Sequence, residues 1–113
     1  LGMAIGSKGD LAFAVQTLEE GQSEFEQLIA EEGVDARIVE EYATLLMELG
    51  GAFVRLGRSE EAAKLYERSL ERFASLAKDH PEDANVLLRV GQLEQMLGSQ
   101  RANLRDRESA ENL

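Results

Sequence analysis

Apolar residues recur along this chain at helical spacing. Between Asp10 and about Ala30, Leu11, Val15, Leu18, Phe25, Leu28 and Ile29 fall at steps of three, four and seven, the rhythm of one buried helix face. Ile38, Val39, Tyr42, Leu45, Leu46, Leu49, Phe53 and Leu56 predict a second helix from Ala36 to about Leu56. A third runs from Glu60 to Lys78 and buries Ala62, Ala63, Leu65, Tyr66, Leu70, Phe73 and Leu76. A fourth starts near Glu82 and runs through Leu97 to Leu104, and Asp106 to Leu113 reads as the start of a fifth. Glu32-Gly33-Val34-Asp35 is the first turn, with Asp35 as N-cap. Gly57-Arg58-Ser59 is the second, and Asp79-His80-Pro81 the third, with Pro81 suited to the first turn of the next helix. Turns this short lay successive helices antiparallel and side by side. The predicted fold is all-α, a row of tandem antiparallel hairpins.

The hairpins repeat with a period of 48 residues: Leu1-Gly2, Leu49-Gly50 and Leu97-Gly98; Gly9 and Gly57; Ala14, Ala62 and Ala110; Phe25 and Phe73; Leu28 and Leu76; Asp35-Ala36 and Asp83-Ala84; Leu45 and Leu93. A fixed period in this range marks units that bury their apolar faces on one another. The units are 1–34, with only part of its first helix, then 35–81, and 82–113, with only part of its second. Because Leu1 falls in mid-unit, the chain is expected to belong to something longer. Gly50 is expected to face Ala62 across a close helix contact, with Gly21 and Ser69 small for the same reason. Gly57 is expected at positive φ. The register also pairs Glu20 with Arg68 and Glu24 with Arg72 between neighbouring units. Leu11, Val15 and Leu18 at one end, and Leu93, Leu97 and Leu104 at the other, are expected to be short of cover, which predicts self-association through the ends.

These residues resemble the tetratricopeptide repeat. The family pattern has Leu-Gly late in the first helix, an apolar residue three further on, a turn Gly, then Ala, an aromatic and a small residue in the second helix. The central unit follows it with Leu49, Gly50, Phe53, Gly57, Ala62, Tyr66, Ser69 and Leu70. The N-terminal unit follows with Leu1, Gly2, Ile5, Gly9, Ala14, Leu18 and Gly21. The third departs from it, with Arg101 for the apolar residue and Arg105 for the turn Gly. Leu46 and Glu94 stand at the family's Trp position. The family's usual period is about 34 residues, so each helix here is longer by about two turns, which rotates its face by only about 20°. Bacterial members with lengthened repeats look similar. The resemblance implies an α-α superhelix whose first helices line a concave groove for a peptide or protein segment. Carried over residue by residue, that groove includes Met3 and Ser7; Thr44, Met47, Glu48, Gly51 and Arg55; and Gln92, Gln95, Ser99 and Asn103. Met47, Gly51 and Ser99 replace the Lys and Asn clamp with which some relatives hold a C-terminal carboxylate, so that mode of binding is not expected.

Charge narrows the partners. The net charge is −10. Residues 1–54 hold −9 of it and residues 55–113 only −1. Nucleic acid and anionic membranes are disfavoured, since both need a clustered basic surface. A basic partner for the N-terminal half and a plain solvated acidic face both fit the imbalance. No apolar run is long enough for a membrane span. The absence of cysteine fits a reducing compartment, and the expected location is cytoplasmic.

No catalytic, cofactor or metal site is expected. His80 sits beside Asp79, Glu82 and Asp83 but lacks the ligand spacing of a calcium loop and the ligand set of a zinc site. The carboxylate pairs Glu31-Glu32 and Glu40-Glu41 are adjacent in sequence and diverge on a helix. The reading is an interaction scaffold, not an enzyme. The alternatives are a structural bundle serving self-association and, more remotely, a non-catalytic part of a larger enzyme or regulator.

Overall fold

The computed structural model describes residues 8–32 and 35–111. Four helices occupy them: α1 (Lys8–Glu32), α2 (Ala36–Arg55), α3 (Ser59–Asp79) and α4 (Ala84–Glu111). Each packs on the next in chain order, giving a stack of 46 × 34 × 26 Å. The expected features at Leu1, Gly2, Met3, Ile5 and Ser7, and in the Gly33-Val34 turn, lie outside the described residues. So do the side chains of Leu11 and Ala14.

The period is visible in how helices start. Asp35 caps α2 by accepting the Arg37 N–H at 2.8 Å. Forty-eight residues on, Asp83 accepts the N–H groups of Asn85 at 3.1 Å and Val86 at 3.3 Å. Each cap satisfies donors that the first turn leaves without partners. Pro81 therefore lies in the turn ahead of α4, before its first helical residue.

Helix α2 stops where glycine permits it. Gly57 has φ +74°. Its N–H bonds Val54 O at 3.0 Å, and Arg58 N–H bonds Phe53 O at 2.9 Å, the paired closure of a left-handed helix end. The Arg58 guanidinium then lies over the Phe53 ring, 4.5 Å from its centre, and pairs with Glu61. Gly9 is expected to mark the same kind of turn, but it falls inside α1.

At the next repeat the stop is gone. Arg105 stands where Gly57 stood, and α4 continues unbroken to Glu111. The separate helix expected from Asp106 does not form among the described residues, so Ala110 shares a helix with Gly98 and does not face it. The continuation brings Arg107 Nη2 to 3.3 Å from Gly57 O.

The core lies between α2, α3 and α4. Tyr42, Leu46, Phe53, Tyr66, Phe73 and Leu93 are all buried, each contributing about 1.5–3 kcal/mol relative to exposure. Leu93 and Leu97, expected to lack cover, are buried, and Leu104 is half-buried. Nearest to Gly50 across the α2–α3 contact is the Tyr66 ring, not Ala62. Ser69 is more than small: its buried hydroxyl donates to Ala43 O at 2.6 Å, tying α3 to the α2 backbone.

Helix α1 is held more lightly. Among its described side chains Val15 is the buried apolar one, with Leu18, Phe25 and Ile29 half-buried. Gly21 faces α2, where a Cβ would touch Leu45 Cδ2 at 3.4 Å, an ordinary contact distance, so its small size is not required there. Leu28, expected in the core, is 36% exposed, and Phe13 is 70% exposed.

Candidate binding surface

Two features gather polar and apolar side chains where α1 meets its neighbours. One is a groove of about 520 Å³ on the α1–α2 front, lined by Phe25 from α1 and Arg37, Glu40, Glu41, Thr44, Leu45 and Glu48 from α2. Through Phe25 it continues into a smaller recess of about 150 Å³ with Gly21, Glu24 and Leu28. Phe25 and Leu45 are half-buried and form an apolar floor, while the Glu40, Glu41 and Glu48 side chains are exposed.

Of the residues carried over from the family, the groove brings together Thr44 and Glu48. The Thr44 hydroxyl donates to Glu40 O at 2.9 Å and so is occupied within its own helix. Met47, between Thr44 and Glu48 in sequence, and Gly51, farther along α2, are half-buried outside the groove lining, and Arg55 is exposed. Gly51 lies against the next helix, where a Cβ would stand 3.8 Å from the Tyr66 hydroxyl. Burial pushes the Tyr66 phenol up from its ordinary pKa, with Arg55 acting in the opposite direction. Gln92, Gln95, Ser99 and Asn103 are exposed on α4. Met3 and Ser7 lie outside the described residues.

The second feature is a polar junction on the other flank of α1. The Tyr42 hydroxyl donates to Glu26 Oε1 at 2.9 Å. Arg68 Nη2 donates to the same oxygen at 3.0 Å and to the Tyr42 hydroxyl at 2.7 Å. With its amide turned to satisfy Arg68, Gln22 accepts from both guanidinium nitrogens, at 2.8 and 3.1 Å. One residue each from α2 and α3 thus grips two residues of α1. The Tyr42 bond, with Arg68 added, holds the Glu26 carboxyl below its usual pKa against an opposing effect of desolvation. Burial and then the bond to Glu26 push the Tyr42 phenol up.

This junction corrects the expected ion pairs. Arg68 meets Glu26 and not Glu20, a displacement of six residues, or about 9 Å along α1. Arg72 lies over the Tyr42 ring at 5.6 Å instead of pairing with Glu24. A register read from sequence assumes that neighbouring helices share the same height and the same rotation about their axes, and the Arg68–Glu26 contact departs from that assumption. The α3–α4 side has its own link, Arg101 to Glu67 at 3.3 Å.

Periodicity alone assigns Phe25 and Leu45 to buried helix faces, so the groove is not visible in it. The signal lay in the charges around them: Glu24, Glu40, Glu41 and Glu48 are all acidic, with Arg37 as the base among them. Among the described residues no group of three His, Cys, Asp or Glu side chains could hold a metal ion; His80 Nδ1 stands 3.9 Å from Glu82. Among them, too, no helix is long and apolar enough to cross a membrane.

A profile of the tetratricopeptide repeat family matches residues 41–102, more than half of the chain, from the middle of α2 through α3 into α4. The chain belongs to the tetratricopeptide repeat family. No curated protein and no solved structure matches it.

Proposed function

We propose that this chain is an interaction scaffold that holds a peptide or protein segment on the concave face formed by α2 and α4. The observation that carries the reading is family membership over residues 41–102. Residues one period apart support it: Met47 and Gln95 put a pliable thioether and an exposed amide on two helices of the same kind. The same reading gives the chain no catalytic role and places it in the bacterial cytoplasm.

A peptide-library titration tests it. The expected result is at least one saturable binder whose affinity falls about tenfold in Gln95→Lys or Ser99→Lys, both exposed changes. Finding no saturable binder while the protein associates with itself favours the structural-bundle reading.

A further inference from the structure

We propose that the Tyr66 hydroxyl and the Arg55 guanidinium form a two-donor subsite on the α2 face of the scaffold, which takes a side-chain carboxylate, Asp or Glu, of the bound segment. The inference deepens the scaffold reading and rests on it.

The hydroxyl is a donor without a partner. Tyr66 is 4% exposed, and its ring is enclosed against Gly50. Among the described residues its hydroxyl makes no hydrogen bond, yet it is not one of the side-chain oxygens shut off from solvent. Gly51 marks the way out. A Cβ on Gly51 would stand 3.8 Å from the hydroxyl oxygen and meet no other described atom within 4 Å. That distance is an ordinary contact, so packing does not require glycine there, although glycine in mid-helix costs backbone entropy. What the missing side chain does is leave the hydroxyl reachable from the outer side of α2. Burial holds the phenol above its ordinary pKa, so it keeps its proton at neutral pH and donates.

Arg55 supplies the charge. It stands one turn beyond Gly51, at the last position of α2, exposed and in no ion pair among the described residues. Its field already reaches the phenol, where it opposes the effect of burial. Glu48, the acid nearest to it along α2, lines the α1–α2 groove instead. The pair belongs to the central unit. One period earlier Tyr66 and Arg55 correspond to Leu18 and Ser7, and one period later Arg55 corresponds to Asn103. Leu18 shows that packing at this place in the repeat needs no hydroxyl. A neutral and a charged donor on one face suit an acceptor with two oxygens and one negative charge. Met47, Gly51 and Ser99 replace the clamp for a chain-terminal carboxylate, so the acceptor is a side-chain carboxylate.

The test uses a library of peptides acetylated and amidated at their ends, each with one Glu, so that no terminal carboxylate is present. Saturable binders are identified by fluorescence anisotropy, and each is remade with Gln for Glu. The Glu form is expected to bind about tenfold more tightly than its Gln twin. Tyr66→Phe and Arg55→Gln should each reduce that preference severalfold, and the double variant should abolish it, with the affinity for the Gln twin unchanged. Gly51→Leu, which closes the opening, should act as Tyr66→Phe does. Tyr66→Phe keeps the ring, so the melting midpoint should stay where it is. A clear fall in that midpoint would show that the hydroxyl is bonded within the protein, and overturns the subsite. Equal affinity for the Glu and Gln forms of every binder, or a preference that survives in the double variant, overturns it too and leaves the scaffold reading intact. Finding no binder in this library while the general one yields binders overturns the subsite alone; no binder in either overturns both readings.

Discussion

Gly50 and the Tyr66 ring occupy space that admits no further atom. A Cβ built on Gly50 would stand 2.6 Å from Tyr66 Cε1 and 2.8 Å from Cδ1. Both residues are buried in the α2–α3 contact, so the ring has little freedom to withdraw. Gly50→Ala is expected to destabilise the fold by about 1–3 kcal/mol, and Gly50→Leu by more. In a Tyr66→Leu background the added cost of Gly50→Ala should largely vanish. Urea unfolding of the four variants of this cycle measures it, and equal costs in both backgrounds would refute the steric account.

Gly98 occupies the same place in the period and predicts the opposite outcome. A Cβ there meets nothing within 4 Å, and the residue is exposed in mid-helix. Gly98→Ala should stabilise the protein by about 0.5–1 kcal/mol through backbone entropy alone. A lowered melting midpoint would mean that something packs on this face of α4.

Gln100 brings a polar group where Ala52 stands one period earlier. It is 6% exposed, and its Oε1 has no hydrogen-bond partner among the described residues. A buried acceptor left unpaired costs about 1–3 kcal/mol. Gln100→Met keeps the length and removes the acceptor, so denaturation should show equal or higher stability. A clear loss would show that the amide is satisfied in solution.

The junction at Glu26 makes the seating of α1 depend on pH. Its carboxyl is held below the usual value of 4.5 in the folded protein. A lowered folded pKa contributes stability that is present above the unfolded pKa and lost as pH falls through the folded pKa. Wild type should therefore exceed Glu26→Gln in stability near neutrality. The gap should close as pH drops from the ordinary glutamate value to below it. About half of the Glu26 side chain is exposed, so the gap is that of a screened surface pair, about 0–1 kcal/mol. Parallel pH-dependent melts at both ends of this window decide the matter.

Most of the fold was legible because helix periodicity and capping are local. The positions of α2 and α3, the Asp35 cap and the Gly57 turn all follow from residues close in sequence. What the period could not give was height and handover. Arg68 reaches Glu26 and not Glu20 because of how α1 packs on its neighbours, a tertiary fact. The run of α4 past Arg105 was misread because Ala110 kept the period while the residue that ends a helix had been lost. Thr44 and Glu48, carried over from the family resemblance, line the α1–α2 groove. The groove itself needs α1 and α2 in contact, and only the structure shows how much of Phe25 and Leu28 stays uncovered.

Charge is unevenly divided between the layers of this stack. Counting side chains, α1 carries seven acids and one base, whereas α4 carries four of each. The molecule is thus an electric dipole with its negative pole at the α1 end. In the field of a cationic partner it experiences a torque, and it turns that end forward before any contact is made. The alignment shortens the orientational search that slows most protein encounters. It also fades with salt, as screening contracts to about 8 Å at physiological ionic strength. Productive collisions should accordingly be faster in dilute buffer, even where the final complex is held mainly by apolar contact.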